Sequence, residues 1–371
     1  MSALPRFVVL YAAMYAAYGV ASPFLPAFLG TRGLAAEEIG VVLGAATALR
    51  LLSAPVAGRI GDRLHALRVV LVASIALAAF MTLGYLGAHG FWAVLAISML
   101  HAAALATMMV LADALALGAR GFEYGWVRGT GSAAFIAGTL VIGQAIGGFG
   151  LEVIIPSQAL LLCAAALAAV RVPDLVHTKT ARSPAGGIRV LLRLAPFRNL
   201  VLVAALILGS HAMHDAFAVI RWSAAGISPA VSSLLWSEAV AAEVVVFFVI
   251  GPALVNRLSP AGAIALAALA GMLRWAVMAQ TTEVFALALV QPLHGFTFAL
   301  LHLACMRLIV RTVPQGLEGT AQAVYATVGV GAATALLTLA SGALYGRLGA
   351  EGFWFMALLC VIALPLTWRL R

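Results

Sequence analysis

Charged residues are scarce in this sequence. Asp, Glu, Lys and Arg together make up 9% of the 371 residues, whereas 64% of the residues are hydrophobic. Soluble globular domains carry about 25% charged residues, and disordered chains are poor in apolar ones. With so few charges the chain has no means of covering a water-facing surface. The composition therefore excludes both a soluble globular protein and a disordered one.

Cysteines and hydrolase motifs are also few or absent. The three cysteines, Cys163, Cys305 and Cys360, all lie within apolar runs. An odd number of scattered, apolar cysteines argues against a disulfide framework and against a thiolate metal site. The sequence contains neither HExxH nor GxSxG, the motifs of zinc proteases and of serine hydrolases. We therefore expect no enzymatic activity, no metal and no bound cofactor.

Long apolar runs are what the sequence has in abundance. A run of about 20 apolar residues crosses the hydrocarbon core of a bilayer as a helix, and one span with its connection takes roughly 30 residues. The chain therefore predicts an all-α polytopic membrane protein with 12 transmembrane helices. The predicted spans are 6–29, 37–58, 68–88, 91–117, 124–149, 153–171, 197–223, 228–250, 260–280, 283–311, 318–347 and 350–368.

The longest polar stretch separates six spans from six others. We predict an N-terminal six-helix bundle over 1–172, a cytoplasmic linker over 173–196 and a C-terminal six-helix bundle over 197–371. The two halves share short matches. Leu100-His101 and Leu293-His294 lie 193 residues apart, and Arg63-Leu64 and Arg257-Leu258 lie 194 apart. A nearly constant offset indicates that the two bundles are repeats of one unit.

The distribution of basic residues predicts the orientation. Seventeen arginine and lysine residues fall on the side of the N-terminus and three on the opposite side. Basic residues collect in cytoplasmic loops. Both termini are therefore predicted to be cytoplasmic, in a bacterial inner membrane. The same bias explains the net charge of +9, so the charge does not indicate a nucleic-acid partner.

The segment after span 2 carries a recognisable pattern. It reads Gly58-Arg-Ile-Gly-Asp62-Arg63-Leu-His-Ala-Leu-Arg68, which resembles the signature loop of the major facilitator superfamily of transporters. The resemblance implies the major facilitator fold and alternating access. It also implies that Gly58, Asp62 and Arg63 act at a cytoplasmic gate.

Within that superfamily the chain is most similar to the phenylpropionate permease group and more distantly to lactose permease. This resemblance implies proton-coupled import of small carboxylates. The stretches that carry it are short and occur in the same order, namely Tyr18-Gly19, Asp113-Ala114-Leu115-Ala116, Tyr124-Gly125-Trp126-Val127-Arg128, Leu235-Trp236-Ser237, Arg274-Trp275, Leu293-His294 and Gln322-Ala323-Val324-Tyr325.

Ionisable residues inside the predicted spans are the candidates for function, because charge in the bilayer is costly and usually marks a pathway. Arg274 in span 9 and His294 in span 10 fall at similar depth, as do the arginine and histidine that lactose permease carries. That permease has a proton-carrying glutamate three residues after its histidine, where this chain has Thr297. The proton carrier is therefore expected elsewhere, with Glu243 and Glu238 of span 8 as candidates.

Span 7 offers another candidate for proton coupling. His211, His214 and Asp215 are spaced i, i+3 and i+4, so a helix places them on one face. A carboxylate beside imidazoles can relay a proton. A metal site and a purely structural polar patch are the alternatives.

The N-terminal half contributes candidate substrate contacts. Asp113 and Arg128 are predicted to pair, either at the substrate or as a salt bridge that positions two helices. Arg50 in span 2 either attracts a carboxylate substrate or partners Asp113. A stripe of tyrosines that ends at Tyr18, together with Trp236 of span 8, is expected to line the pocket with aromatic rings.

These observations predict a proton-coupled symporter that imports a small organic solute, a monocarboxylate such as an aromatic acid, by alternating access. Its partners are then the substrate, protons and the lipid bilayer, with the proton gradient as the energy source and no oligomer required. The alternatives are a carrier of a neutral sugar or nucleoside, and an efflux pump. A transport-inactive sensor and an intramembrane enzyme are two further alternatives, which the sequence supports less.

Overall fold

The computed structural model of the chain describes residues 3–119, 121–174 and 187–370, and of Asp62 it describes the backbone alone. Within these ranges every regular element is a helix and no strand occurs. A helix satisfies the hydrogen bonds of its own backbone N–H and C=O groups. A segment inside a bilayer requires this, because no water is available there.

The helices provide twelve crossings of a bilayer. Ten helical stretches in the described residues are long and apolar enough to span. Two of these, Pro229–Gln280 and Glu318–Leu370, contain 52 and 53 residues, and each is long enough for two crossings of about 20 residues. Positive φ angles at Ser259 and Gly349 break each of them in two. The prediction of an all-α protein with twelve spans is confirmed.

The chain folds into two compact units. The first is Met1–Lys179 with Trp222–Ser237, and the second is Thr180–Arg221 with Glu238–Arg371. The described helices of the first half are α1 (Leu4–Ala21), α2 (Leu25–Thr31), α3 (Ala36–Leu64), α4 (Leu67–Gly87), α5 (Phe91–Gly118), α6 (Tyr124–Phe149) and α7 (Ile154–Ala169). The bundle boundaries at 172 and 197 stay predictions.

The described helices of the second half are α8 (Gly187–Arg193), α9 (Ala195–Gly209), α10 (Ala212–Ala224), α11 (Pro229–Val245), α12 (Gly251–Gln280), α13 (Val284–Val290), α14 (Leu301–Thr312), α15 (Glu318–Val324), α16 (Ala333–Leu348) and α17 (Phe353–Leu366). Wide π-turns connect several of them, at Val246–Ile250, Phe296–Leu300 and Tyr325–Ala332. A π-turn holds one residue more than an α-turn and therefore rotates the following side chains around the axis.

Each unit has its own apolar core. In the first unit α1 packs against α6 and α7, and α5 packs against α3 and α4. Phe7, Leu10 and Ile75 are fully enclosed there. In the second unit α12 packs against α14 and α17, around side chains such as Ile264 and Cys305.

Three boundaries differ from the predicted ones. Span 1 is not continuous, because α1 ends at Ala21 and α2 begins at Leu25. Pro23 lies in the gap and has no backbone N–H to continue the helix. The predicted loop after span 2 is mostly helical, since α3 runs on to Leu64. Part of the predicted linker is also helical, namely α8, whereas 175–186 lie outside the described residues.

The backbone repeats the same turn in both halves. His65 and Ser259 have φ angles of 50° and 65°, and no other described non-glycine residue has a positive φ. L-residues rarely adopt this conformation. The two residues are separated by 194 positions, the offset that also relates Arg63 to Arg257. The geometry thus supports the internal repeat that the sequence indicates.

Glycine at position 138 allows α1 and α6 to approach closely. A Cβ atom at Gly138 would lie 2.6 Å from the carbonyl oxygen of Ala16, whereas a Cβ at Gly147 of the same helix would have no atom within 4 Å. We expect Gly138→Ala to cost about 1–3 kcal/mol through overpacking and to lower the melting temperature in detergent. Gly147→Ala is the matched control, and equal melting temperatures for the two variants would contradict the packing.

Candidate functional site

Arg274 of α12 lies at the centre of a polar cluster inside the second unit. Its side chain has no exposed surface. The guanidinium donates hydrogen bonds to Gln291 Oε1 at 2.6 Å, to His294 Nδ1 at 3.2 Å and to His214 Nε2 at 3.3 Å. The ring of Trp275 lies 4.6 Å from its Cζ atom. A buried guanidinium requires such partners, because it remains charged.

These hydrogen bonds determine where the histidines carry their protons. An arginine side chain only donates, so Nδ1 of His294 and Nε2 of His214 must accept with their lone pairs. Each neutral ring then carries its proton on the other nitrogen. On that side His294 Nε2 lies 3.5 Å from Glu243 Oε2, and His214 Nδ1 lies 3.1 Å from Asp215 Oδ1.

Each histidine therefore links Arg274 to one carboxylate. We call the set the Arg274 cluster, which consists of His214, Asp215, Glu243, Arg274, Gln291 and His294. One fixed positive charge faces two carboxylates through two neutral rings. With both carboxylates ionised the cluster carries one net negative charge, which is costly away from water. A single proton on one carboxylate makes it neutral, so the arrangement is able to bind and release one proton.

His211 makes its hydrogen bonds outside this cluster. Its Nδ1 donates to the backbone oxygen of Leu208 at 3.0 Å, and its Nε2 lies 2.9 Å from Thr297 Oγ1. The helix is interrupted between α9, which ends at Gly209, and α10, which begins at Ala212, but the N–H of Asp215 still donates to the backbone oxygen of His211 at 2.9 Å. The ring of His211 packs against that of His294, with centroids 5.2 Å apart. The role of His211 in proton coupling stays a prediction. No group of metal-ligating side chains occurs in the described part of the chain.

The two glutamates of α11 differ in their surroundings. Glu243 contacts the ring of His294, whereas Glu238 is half-buried and makes no hydrogen bond or ion pair with any described residue. Five residues separate them, so they lie on different sides of the helix. Trp236 is buried on the same helix. The structure thus places Glu243 in the Arg274 cluster and leaves Glu238 outside it.

In the first unit, tyrosines separate the acidic and basic residues that the sequence predicts to pair. Asp113 accepts hydrogen bonds from the hydroxyls of Tyr11 at 2.5 Å and Tyr124 at 2.6 Å. Arg128 donates to the hydroxyl of Tyr15 instead. Among the described ion pairs there is none between Asp113 and Arg128. The predicted pair is wrong, because phenol hydroxyls take both of its members.

Arg50 also departs from its predicted pairing with Asp113. Its guanidinium lies near the hydroxyl of Tyr18 and within electrostatic range of His101. Tyr18 in turn donates to the backbone oxygen of Leu105 at 3.4 Å. No carboxylate in the described residues forms an ion pair with Arg50.

The predicted gate residues lie at the end of α3 rather than in a loop. Gly58 and Arg63 are both within this helix, and Arg63 is exposed. The side chain of Asp62 lies outside the described part of the structure. The gating role of the three residues stays a prediction.

Sequence reasoning did not identify Gln291, which makes the shortest contact to Arg274. A signal was available, since Gln291 is an amide in an otherwise apolar run and precedes Pro292. Thr297 was noted as a departure from lactose permease, but its hydrogen bond to His211 was not foreseen. Tyr11 and Tyr124 were part of the tyrosine and family patterns without an assigned partner.

Replacement of Arg274 tests the cluster. We expect Arg274→Gln to cost roughly 3 kcal/mol, because Gln291 and two histidines lose a buried donor, and to lower the melting temperature in detergent. Arg274→Lys should recover only part of the loss, since an ammonium has no planar fork. Arg257→Gln, an exposed position on the same helix, is the control. A melting temperature of Arg274→Gln equal to that of the control would refute the central position of Arg274.

Comparison with known proteins adds the family to this geometry. The sequence profile of the MFS_1 like family matches residues 4–357. The chain is 33% identical over 363 residues to a protein of Escherichia coli K12 named "Probable 3-phenylpropionic acid transporter", covering 96% of this chain and 94% of that one. It is 24% identical over 360 residues to the maltose permease of Geobacillus stearothermophilus, covering 96% and 91%.

Among solved structures, a mutant form of the nucleoside transporter NupG superposes with a TM-score of 0.89 over the whole of both chains, at 15% sequence identity. A bacterial homologue of the lysosomal transporter Spinster gives a TM-score of 0.75, covering 99% of this chain and 96% of that one, at 14% identity. At such low identity these matches show a shared fold and nothing about substrates.

Proposed function

Because this chain belongs to the MFS_1 like family, and so is a multi-pass membrane transporter of a small molecule, we propose that it imports a small organic acid together with a proton. The observation that carries the proton coupling is the Arg274 cluster. In it one fixed cation is shared, through two neutral histidines, by two carboxylates.

A carboxylate rather than a histidine carries the proton in this proposal. A second proton on His294 would sit on Nδ1, where it would face the N–H groups of Arg274. The same holds for Nε2 of His214. Since a guanidinium has no acceptor, charging either ring would break its contact with Arg274. The rings therefore stay neutral while a carboxylate takes up and releases the proton.

Glu243 is the better carrier of the two carboxylates. Its side chain is 30% exposed, whereas that of Asp215 is 55% exposed. The less hydrated carboxylate gains more from being neutral. Several titratable and charged groups lie near these two carboxylates. They are Arg274, His294, His214 and His211, and His302 lies near Glu243 as well. Access of water to Glu243 from one side and then from the other would couple its proton to alternating access.

The proposed substrate class is an aromatic monocarboxylate. The relative with 33% identity is named for 3-phenylpropionic acid, and the one with 24% identity is named for maltose. Tyr15 and Tyr18 are partly exposed in the first unit, and aromatic rings stack on aromatic ligands. A neutral sugar or nucleoside as substrate, and export instead of import, are the alternative outcomes of the transport test. We further propose the bacterial inner membrane as the location, with cytoplasmic termini, from the distribution of arginine and lysine.

Uptake into proteoliposomes tests the proposed function. With an inside-alkaline pH gradient, we expect wild-type protein to accumulate labelled 3-phenylpropionate above the external concentration, and not to do so without the gradient. Glu243→Gln should abolish accumulation but retain exchange of internal for external substrate, because exchange requires no net proton movement. Glu238→Gln makes the same change on the same helix and should accumulate substrate as the wild type does.

Several results of this experiment would contradict the proposal. Accumulation that ignores the gradient would reject proton coupling. Accumulation by Glu243→Gln at the wild-type level would reject Glu243 as the carrier. Uptake of a labelled sugar or nucleoside in place of the acid would reject the substrate class, and accumulation only under an inside-acidic gradient would indicate export.

A further inference from the structure

Arg50 and Arg274 are both candidates for binding the carboxylate of the substrate, and the structure distinguishes them by their exposure and their partners. We propose that Arg50 in the first unit binds that carboxylate, while Arg274 in the second unit serves the proton site only. This inference rests on the proposed function and deepens it by assigning substrate and proton to different residues.

Arg274 is closed to a ligand. Its side chain has no exposed surface, and three protein acceptors occupy its guanidinium. At these N–H groups a carboxylate would have to displace Gln291 or a histidine. Displacing a histidine would also remove the lone-pair contact with that ring. The Nε–H of Arg274 has no described partner, but it is buried as well, so a ligand has no open route to the guanidinium.

Arg50 has the opposite properties. It is exposed and lies 14 residues after the start of α3 at Ala36, which is about 21 Å along the helix axis. That depth is well inside a hydrocarbon core of about 30 Å. An exposed cation at this depth costs free energy unless it meets an anion or water. Because no described carboxylate pairs with it, a soluble anion is the fitting partner.

Tyr18 and His101 are the described neighbours of Arg50, and neither of them is a carboxylate. The hydroxyl of Tyr18 lies near the guanidinium and donates to Leu105 O at 3.4 Å. His101 bonds Thr82 through Nε2 at 3.1 Å, and the Thr82 hydroxyl donates to the backbone oxygen of Ala78. His101 must therefore donate at Nε2. Tyr18 is thus a positioning residue, and N–H groups of Arg50 remain for a planar carboxylate.

Aromatic rings continue from Tyr18 away from Arg50. The ring centroids of Tyr18 and Tyr15 are 6.4 Å apart, and those of Tyr15 and Tyr11 are 5.9 Å apart in a stacked arrangement. Asp113 receives the hydroxyl of Tyr11 at the far end of this row. Arg128 lies over the ring of Tyr15 but already donates to its hydroxyl. A carboxylate bound at Arg50 would place an attached aromatic group beside Tyr18 and Tyr15, the two partly exposed rings of the row.

The internal repeat supports the division of roles. The offset of 193 that relates His101 to His294 also relates Arg50 to Glu243. Between these two pairs the offset is 194, as for Arg63 and Arg257, and the π-turn Val246–Ile250 precedes Arg257 and contributes one extra residue there. In both units the residue at this position of the second span interacts electrostatically with the histidine of the fourth span: Arg50 with His101, and Glu243 with His294. One position of the repeat is thus a cation in the first unit and a carboxylate in the second.

Binding measurements on the purified full-length protein test this assignment. Titration calorimetry would compare 3-phenylpropionate with its neutral amide, 3-phenylpropanamide, at constant pH. We expect Arg50→Gln to weaken binding of the acid about 10- to 100-fold, the loss expected for a charge-assisted hydrogen-bonded contact, and to make acid and amide bind alike. Arg50→Lys should fall between the two, and Tyr18→Phe should weaken the acid less than Arg50→Gln does.

Arg59→Gln is the matched control, because it makes the same change at an exposed position of the same helix and should bind the acid as the wild type does. Arg274→Lys should retain the preference for acid over amide.

Two results would overturn the inference and leave proton-coupled transport standing. They are wild-type affinity for the acid in Arg50→Gln, and loss of the preference in Arg274→Lys alone. Failure of the wild type to bind the acid would overturn both the inference and the proposed substrate class. If Arg50→Gln does not fold, Arg50→Lys and Tyr18→Phe decide, and wild-type acid affinity in both would overturn the assignment.

Discussion

A guanidinium can donate hydrogen bonds but cannot accept them, and the chemistry of the second unit depends on this constraint. Arg274 donates to one nitrogen of His294 and to one nitrogen of His214. Both rings must present a lone pair to it and a proton to the carboxylate on their far side. A single side chain thereby determines two tautomers and gives Glu243 and Asp215 a share in one positive charge. In the proposed function, the surplus carboxylate charge is the reason that the cluster takes up a proton.

The first unit uses a related framework for different chemistry. Asp113 of this unit is held by two phenol hydroxyls, and Arg128 donates to the hydroxyl of Tyr15 rather than to a carboxylate. Positions that correspond in the repeat, Arg50 and Glu243, carry opposite charges beside equivalent histidines. A duplicated helical unit thus provides one site suited to an anion and another suited to a proton, with no change in the local backbone plan.

Much of the fold follows from the sequence, because the length of apolar runs determines how many helices cross a bilayer. The proximity of Arg274 and His294 can also be predicted from the sequence, since residue counts along two helices place both at similar depth. Departures from regular helix cannot be predicted in this way. The break at Pro23, the extension of α3 to Leu64 and the break before Ala212 depend on local backbone geometry that hydrophobic periodicity does not report.

Side-chain pairing was the least predictable part. Opposite charges on neighbouring helices suggested Asp113 with Arg128, but tyrosine hydroxyls lie closer to both. Gln291 was missed because a short 3₁₀ segment and a π-turn rotate this part of the chain relative to a regular helix. Sequence spacing on an ideal helix therefore predicts the depth of a residue in the bilayer more reliably than it predicts which side chain that residue contacts.

The central claim is that Glu243 holds one proton within the Arg274 cluster. Infrared difference spectroscopy over a pH titration tests it directly, because a protonated carboxyl has a C=O band that a carboxylate lacks. The account predicts a band in the wild type that titrates with pH, shifts in D₂O, persists in Glu238→Gln and disappears in Glu243→Gln. A titrating band of equal intensity in Glu243→Gln and in the wild type would contradict it.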